Sequence, residues 1–161
     1  MVVVLSKVLV QEPQHVPFEG LGVRTFQGDP DINTWLQVRE HSFANALPPI
    51  RSWSPDDFHR EIKNRHWWQP ERTWFAEMDE GSGHQQVVGT VTLSMRRPEQ
   101  PVVHWLAVLP AARRRGVGRL LMVQLERECW RLGHRRIVVE SETGWREATA
   151  FYEQMGYEQI A

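Results

Sequence analysis

The sequence is poor in the residues that define several common classes of protein. It has one cysteine among 161 residues, so no internal disulfide can form and a reducing compartment is permitted. The net charge is -1, which gives no electrostatic reason to expect nucleic acid or an anionic membrane as a partner. No internal repeat or low-complexity tract is present. We therefore expect a globular protein of the cytoplasm.

Long apolar runs are also missing. The apolar segment 1–10 is too short to span a bilayer. It does not resemble a secretory signal, because Lys7 interrupts it, no charged residue precedes it and no small-residue cleavage site follows. We predict an extra strand here, followed by a linker over residues 11–20 that contains two prolines.

The remaining composition is that of an ordinary globular protein. Apolar residues make up 41% of the chain and charged residues 24%, and the length allows one domain with a substantial core. The predicted organisation is an N-terminal strand and linker over residues 1–20 and a single domain over residues 21–161.

Hydrophobic patterning gives the order of elements in this domain. Strands are predicted at residues 21–26, 73–78, 87–95, 102–108 and 137–140. Helices are predicted after Asp29 and Ser54, from residue 117 and over residues 145–155. In the strand at 87–95, apolar residues alternate with Thr90, Thr92 and Ser94, which predicts one buried and one exposed face. This order predicts a mixed α/β domain.

Two of the helix starts have the same chemistry. Asp29 and Ser54 are each followed by proline, which is typical of a capping residue before the first helical turn. In the second helix, Phe58 and Ile62 are spaced by four and predict its buried face.

A phosphate site is predicted between the strand at 102–108 and the next helix. The turn reads Arg113-Arg114-Arg115-Gly116-Val117-Gly118. Free backbone N–H groups and the positive end of the helix dipole bind phosphate at such a turn, and arginines add attraction. The turn lacks the Gly-Lys-Ser/Thr ending of a P-loop and the third glycine of a Rossmann fingerprint.

The segment resembles the acetyl-coenzyme A loop of the GNAT superfamily of N-acetyltransferases. The strand ending Leu106-Ala107-Val108-Leu109-Pro110 leads into Arg113-x-x-Gly116-x-Gly118 at the family's spacing. The resemblance implies a central mixed, mostly antiparallel sheet flanked by about four helices, and acetyl-CoA as co-substrate. It implies that a side chain at Gly118 would meet the pyrophosphate. The coenzyme-binding residues it implies are Leu106, Ala107, Val108, Arg113, Arg114, Arg115, Gly116, Val117, Gly118 and Arg119.

The last predicted helix carries a second motif of this family. Phe151-Tyr152-x-x-x-Gly156-Tyr157 is similar to the family's final helix. The resemblance implies that Tyr152 lies near the coenzyme sulfur and donates a proton to the leaving thiolate, which a phenol with a pKa near ~10 can do. Trp145 departs from the pattern, since the family often has asparagine there.

The resemblance implies direct attack of an amine on the thioester, and hence a base and an oxyanion donor. His104, with an ordinary pKa near ~6.5, is one candidate base. Glu140, with Glu142 behind it, is another, and a water path is a third. For the oxyanion, the family uses a backbone N–H beside a β-bulge, which here would be Val108 or a neighbour.

The predicted function is therefore acetyl-CoA-dependent N-acetyl transfer to a primary amine, and the preferred acceptor is a small molecule. Transfer to a protein N-terminus or lysine, and a non-catalytic acyl-CoA-binding module, are the alternatives. Trp53, Trp67, Trp68 and Trp74 either belong to the core or line a pocket for an aromatic or cationic acceptor. No metal, nucleic acid or membrane is expected as a ligand.

The end of the sequence predicts an open sheet edge. After Gly156 the family pattern usually continues through two strands, whereas residues 157–161 allow one short strand at most. An open edge invites pairing. We predict that residues 2–10 pair with a sheet edge, either within the chain or in a homodimer.

Overall fold

The computed structural model describes residues 1–81, 83–96 and 98–161. The sequence also predicts turns at 79–85 and 96–100, and these include Ser82 and Arg97, which lie outside the described residues. The strands of the described chain are β1 Val2–Val8, β2 Leu21–Thr25, β3 Thr73–Asp79, β4 Gln85–Arg96, β5 Gln100–Val108, β6 Arg136–Glu142 and β7 Glu158–Gln159. Its α-helices are α1 Pro30–Ser42, α2 Pro55–Phe58, α3 Val117–Arg131 and α4 Arg146–Gln154, and a π-helical turn, His59–Lys63, continues α2.

The seven described strands form one sheet in the order β2-β3-β4-β5-β6-β1-β7. Neighbouring strands are antiparallel except β5 and β6, which are parallel because α3 forms the crossover between them. The predicted mixed, mostly antiparallel sheet with four helices is confirmed.

Two hydrophobic cores cover the two faces of the sheet. Neighbouring residues of β3 point in opposite directions, so Trp74 belongs to one core and Phe75 to the other. The Trp74 side is packed by α3 and α4, and the Phe75 side, which is rich in aromatic residues, by α1 and α2.

The expectation for β4 is wrong, because both of its faces are buried. Thr90, Thr92 and Ser94 are buried like the apolar residues between them, since helices cover both sides of the sheet. Their hydroxyls are satisfied internally: Thr92 bonds the Thr73 hydroxyl at 2.9 Å, and Thr90 donates to the Trp74 carbonyl at 2.8 Å.

Only one of the two predicted caps is observed. Ser54 forms a capping box with Asp57, as its position predicts. Asp29 makes no side-chain cap and instead bonds Lys63. At that end of α1, Asp31 accepts from the Gln27 N–H at 2.8 Å, so the carboxylate two residues later stabilises the turn.

The N-terminal strand completes the sheet within the same chain. β1 pairs antiparallel with β6 over its full length, and β7 pairs with the other side of β1. Lys7 of β1 bonds the buried Glu126 of α3 at 2.9 Å, and the Tyr157 hydroxyl donates to the same carboxylate at 2.9 Å. The predicted pairing of residues 2–10 with a sheet edge is confirmed, and it removes the open edge on which the homodimer prediction depended.

This architecture predicts that β1 contributes strongly to stability. Leu5 is fully buried in the core, whereas Val8 on the same strand is 61% exposed. We expect Leu5→Ala to lower the free energy of unfolding by about 2–5 kcal/mol, because a cavity would remain. Val8→Ala, the matched control, should change it by about 0.5 kcal/mol or less. Denaturant unfolding measures both, and equal small effects would contradict the placement of β1.

Candidate active site

The site is created where β5 separates from β6. Their parallel pairing comprises Val102 with Val138 and Val103 with Val139, and it does not continue beyond these residues. Immediately afterwards the register between β4 and β5 shifts, and Trp105 adopts a left-handed φ of 51°. Such a bulge bends a strand and interrupts its pairing, so a gap opens between the ends of β5 and β6.

The backbone of Val108 faces this gap. The Leu109 N–H donates to the Val88 carbonyl of β4 at 2.8 Å. Because peptide groups alternate in direction along a strand, the N–H and C=O of Val108 point away from β4. This N–H therefore has the orientation that an oxyanion donor in the gap requires.

At the end of the gap, the arginine-glycine loop has the backbone conformation of an anion site. Arg114 and Gly116 both have left-handed φ values, 64° and 86°. Gly116 is the N-cap of α3, and no side chain caps the free N–H groups there. Alternating left-handed residues before a helix N-terminus turn successive N–H groups toward one point, where they bind anions.

The side chain of Arg113 holds this region together. Its Nε donates to the Val108 carbonyl at 3.2 Å and its Nη2 to the Ser42 carbonyl, at the end of α1, at 2.6 Å. Arg115 is directed to the Met78 sulfur at 3.4 Å. Arg113 thus links the loop, β5 and α1, and it brings positive charge to the N-terminal end of α3.

The segment predicted as a linker packs against the same loop. It runs along α3, where Arg127 donates to the Pro13 carbonyl at 3.0 Å and Gln124 bonds His15 at 3.1 Å. Phe18 then covers Gly116, and a Cβ on that glycine would lie 2.3 Å from the Phe18 ring. The two prolines of this segment predict a linker, and they do not indicate that Phe18 packs on Gly116.

Gly118 lies against the last helix. A Cβ built on Gly118 would lie 3.1 Å from the ring of Phe151, so this glycine lets α4 approach the start of α3. That a side chain here would also meet the pyrophosphate stays a prediction. Gly118 joins the two helices that carry the predicted coenzyme and proton-donor residues.

Tyr152 lies in the core between the sheet and α4. Its ring contacts Phe151 and Tyr157 at centroid distances of 5.5 and 5.8 Å, and its hydroxyl has no hydrogen bond to another described residue. Burial raises the pKa of Tyr152 above its ordinary value, so the phenol keeps its proton at neutral pH.

The two candidate bases lie in unfavourable surroundings for that role. Burial, with repulsion from Arg96 and Arg39, lowers the pKa of His104 to about 4. The Glu140 carboxylate is paired through both oxygens with Arg96, and this hydrogen bonding lowers its pKa. To accept a proton, His104 would have to carry a charge beside two arginines, and Glu140 would have to give up its ion pair with Arg96.

The tryptophans do not form a single cluster. Trp53, Trp67 and Trp68 pack against the α1–α2 core, whereas Trp74 belongs to the core on the opposite face. Trp105, in the bulge, joins the first group through ring contacts with Trp53 at 5.7 Å and with Phe43 at 5.6 Å. In the sequence, Trp74 is grouped with Trp67 and Trp68 because it is close to them along the chain. In the structure its side chain points to the other face of the sheet, because neighbouring residues of β3 alternate between the two faces.

A cavity of about 440 Å³ lies elsewhere, between the 15–18 segment, β2 and α3. It shares no lining residue with the gap between β5 and β6. In the described part of the chain, no three His, Cys, Asp or Glu side chains meet as a metal site. The described helices include none that is long and apolar enough to cross a bilayer.

This fold, a mixed and mostly antiparallel sheet in which β5 and β6 separate beside a glycine-containing loop, matches the fold of GNAT acetyltransferases. The family model described as "Acetyltransferase (GNAT) family" matches residues 35–157. The chain belongs to this family, and the predicted resemblance is confirmed.

Similar proteins agree with this assignment. A curated relative named mycothiol acetyltransferase, from Mycobacterium ulcerans, is 32% identical over 85% of this chain, which spans 45% of the relative's length. A GCN5-related N-acetyltransferase from Sphaerobacter thermophilus superposes with a TM-score of 0.80 at 20% identity, over 99% of this chain and 48% of the other. AAC(6')-Iy, in complex with a CoA-containing bisubstrate analogue, gives 0.66 at 15% identity, over 88% and 92%. These two structures support the fold.

The half-buried His104, whose Nε2 atom is fully buried without a partner among the described residues, predicts a specific dependence of stability on pH. Because its folded pKa of about 4 lies below the unfolded value, the unfolded chain binds more protons below pH ~6.5. Stability should fall as the pH decreases from ~6.5 to 4, by up to roughly 3 kcal/mol. Unfolding experiments at several pH values should show this loss reduced in His104→Gln and retained in His84→Gln, a substitution at an exposed site. An identical pH dependence in His104→Gln would contradict the buried neutral imidazole.

Proposed function

We propose that this domain transfers the acetyl group of acetyl-CoA to a primary amine of a small molecule, by direct attack in a ternary complex. The observation that supports this most strongly is the gap between β5 and β6, with the Val108 N–H directed into it and the anion loop at its end. The loop fits a pyrophosphate, and the gap fits an extended chain that can hydrogen-bond to a free strand edge.

Acetyl-CoA supplies a thioester, whose C–S bond breaks as a new C–N bond forms to the amine. Backbone N–H groups of Arg114 to Val117 hold the pyrophosphate, together with the helix dipole of α3. The Val108 N–H stabilises the negative charge that develops on the carbonyl oxygen. Tyr152, protonated in its buried position, donates a proton to the departing sulfur.

The amine is assigned to attack as its neutral form, which has already lost a proton to bulk solvent, so no side chain has to act as its base. The proton that the nitrogen loses after attack passes to solvent water, because bonding to the carbonyl carbon makes the nitrogen more acidic. His104 and Glu140 are not given this role, because their lowered pKa values make them much weaker bases than the amine. Both residues keep supporting roles in this proposal, because His104 lines the bulge and Glu140 holds Arg96 across β5.

The small-molecule acceptor is supported by the curated relatives, which are named for mycothiol acetylation. A non-catalytic module that only binds acyl-CoA would not require a buried protonated phenol at Tyr152. We therefore retain catalysis as the proposed role of the domain.

The first test concerns the loop. Gly116→Ala would strain a left-handed residue and place a Cβ 2.3 Å from the Phe18 ring, which would displace the anion-binding N–H groups. Calorimetry should show acetyl-CoA affinity reduced by about tenfold or more. Gly133→Ala is the control, because its φ is also left-handed, 91°, but a Cβ there meets nothing within 4 Å. Unchanged affinity in Gly116→Ala would mean that the coenzyme binds elsewhere.

The second test uses the fact that the chain has two tyrosines. Tyr152→Phe should lower kcat by about tenfold or more while acetyl-CoA affinity stays the same, as for a group that acts in the transition state. Tyr157→Phe should lower stability by about 1–3 kcal/mol, since Glu126 loses a buried donor, and leave kcat unchanged. Steady-state kinetics with chemistry rate-limiting measure the difference. Normal turnover by Tyr152→Phe would exclude it as the proton donor.

A further inference from the structure

Several buried hydrogen-bond donors without acceptors surround the C-terminal half of α1. Arg39 Nε, Trp105 Nε1, Trp145 Nε1 and the Ser42 hydroxyl are buried and have no partner among the described residues. Arginine and tryptophan side chains can donate but not accept. Buried polar groups are normally paired, so a group of donors left together indicates a missing acceptor.

Arg39 is the centre of this group. It is 2% exposed, and its guanidinium carbon contacts the rings of both Trp53 and Trp105, at 4.3 and 4.2 Å from their centroids. No carboxylate of the described residues lies within 4.0 Å of it. A buried cation without an anionic partner is unusual, because charges are rarely buried unless paired.

The contacts of the guanidinium determine which part of it can bind a ligand. The Trp53 and Trp105 rings, whose planes are inclined at 76°, approach it from two directions, and Nη1 donates to the Arg51 carbonyl at 3.0 Å. The edge that carries Nε and Nη2 makes no hydrogen bond to a described residue. Two parallel N–H groups on one planar edge match the two oxygens of a carboxylate.

These donors lie beside the proposed site of acetyl transfer. Trp105 forms the bulge, and the Phe43 ring contacts both Trp105 and Trp145, at 5.6 and 5.1 Å. One guanidinium, that of Arg113, spans the carbonyls of Ser42 and Val108. A small molecule could therefore place one group at Arg39 and another in the gap.

We propose that the acetyl acceptor carries a carboxylate as well as its amine, and that Arg39 binds this carboxylate through Nε and Nη2. Trp105, which contacts Arg39, supplies a further unpaired donor beside the oxygens. The inference rests on the proposed function and narrows it: the substrate class is amino acids and related amino carboxylates. Arg39 determines specificity, while Val108 and Tyr152 act on the reacting atoms. Arg51 and Trp53, from the exposed segment after α1, cover the subsite.

The charge of the subsite supports this class over polycationic amines. Arg39 remains protonated at neutral pH, although burial lowers its pKa to about 10. A second ammonium group at this position would be repelled, whereas a carboxylate would neutralise the buried charge.

The test compares amino acids with their decarboxylated amines, for example L-leucine with 3-methylbutylamine and L-phenylalanine with 2-phenylethylamine. Thiol release from acetyl-CoA should show kcat/KM higher by about tenfold or more for the carboxylate-bearing member of the best pair. Arg39→Met should remove this preference by lowering kcat/KM for the amino acid and leaving that for the amine nearly unchanged. Arg131→Met is the control, because it removes the same charge from a side chain that is 69% exposed at the end of α3, outside the proposed subsite, and it should keep the preference.

Equal or better turnover of the decarboxylated amines would overturn the inference, as would an Arg39→Met variant that loses both activities equally. If Arg39→Met does not fold, Arg39→Lys replaces it, since lysine keeps the charge without the planar fork and should also reduce the preference.

A binding measurement separates this inference from the proposed function. Trp53 and Trp105 contact Arg39, so tryptophan fluorescence should change saturably with L-leucine and not with 3-methylbutylamine, and Arg39→Met should abolish the change. If neither the amino acid nor the amine of any pair is acetylated, the proposed function is contradicted, and the fluorescence result then tests the carboxylate subsite alone. If the fluorescence of the wild-type protein does not respond to L-leucine, the carboxylate subsite is overturned.

Discussion

The separation of β5 from β6 is the feature on which the rest of the site depends. Parallel strands in a sheet normally continue to exchange hydrogen bonds, yet here the pairing ends at Val103 and Val139. The left-handed Trp105 redirects β5 at this point, a conformation that costs a non-glycine residue free energy and persists only where its surroundings hold it. The cost is offset by packing, because the Trp105 ring stacks on Arg39 and contacts Trp53.

The open strand end is held in place from both sides of the sheet. Arg113 ties the Val108 carbonyl to the end of α1, and on the other face Gly118 allows Phe151 of α4 to pack against α3. The N-terminal segment adds a third constraint, since β1 pairs with the far side of β6 and Phe18 covers Gly116. The position of the gap is therefore set by contacts within the chain itself.

Much of this could be predicted from the sequence, because it depends on local patterns. The Ser54 capping box, the buried Phe58 and Ile62 and the glycine loop all lie within a few residues of the signal that indicates them. The failures have a common cause, which is that packing partners distant in sequence decide the outcome. Helices on both faces bury Thr90 and Thr92, which the alternation along β4 alone does not indicate. The pKa of His104 likewise depends on Arg96 and Arg39, to which no local pattern connects it. Arg39 itself looks like a surface residue in the sequence, and only the positions of Trp53 and Trp105 make it a buried cation.

The central claim is that acetyl-CoA occupies the gap between β5 and β6, with the carbonyl oxygen of its thioester at the Val108 N–H. The most direct measurement is an amide NMR titration with acetyl-CoA on assigned, ¹⁵N-labelled protein. The account predicts that the Val108 amide shifts together with those of Arg114 to Gly118, as expected for new hydrogen bonds at the strand end and at the loop. Shifts confined to residues around the cavity between the 15–18 segment, β2 and α3, with Val108 unaffected, would contradict it.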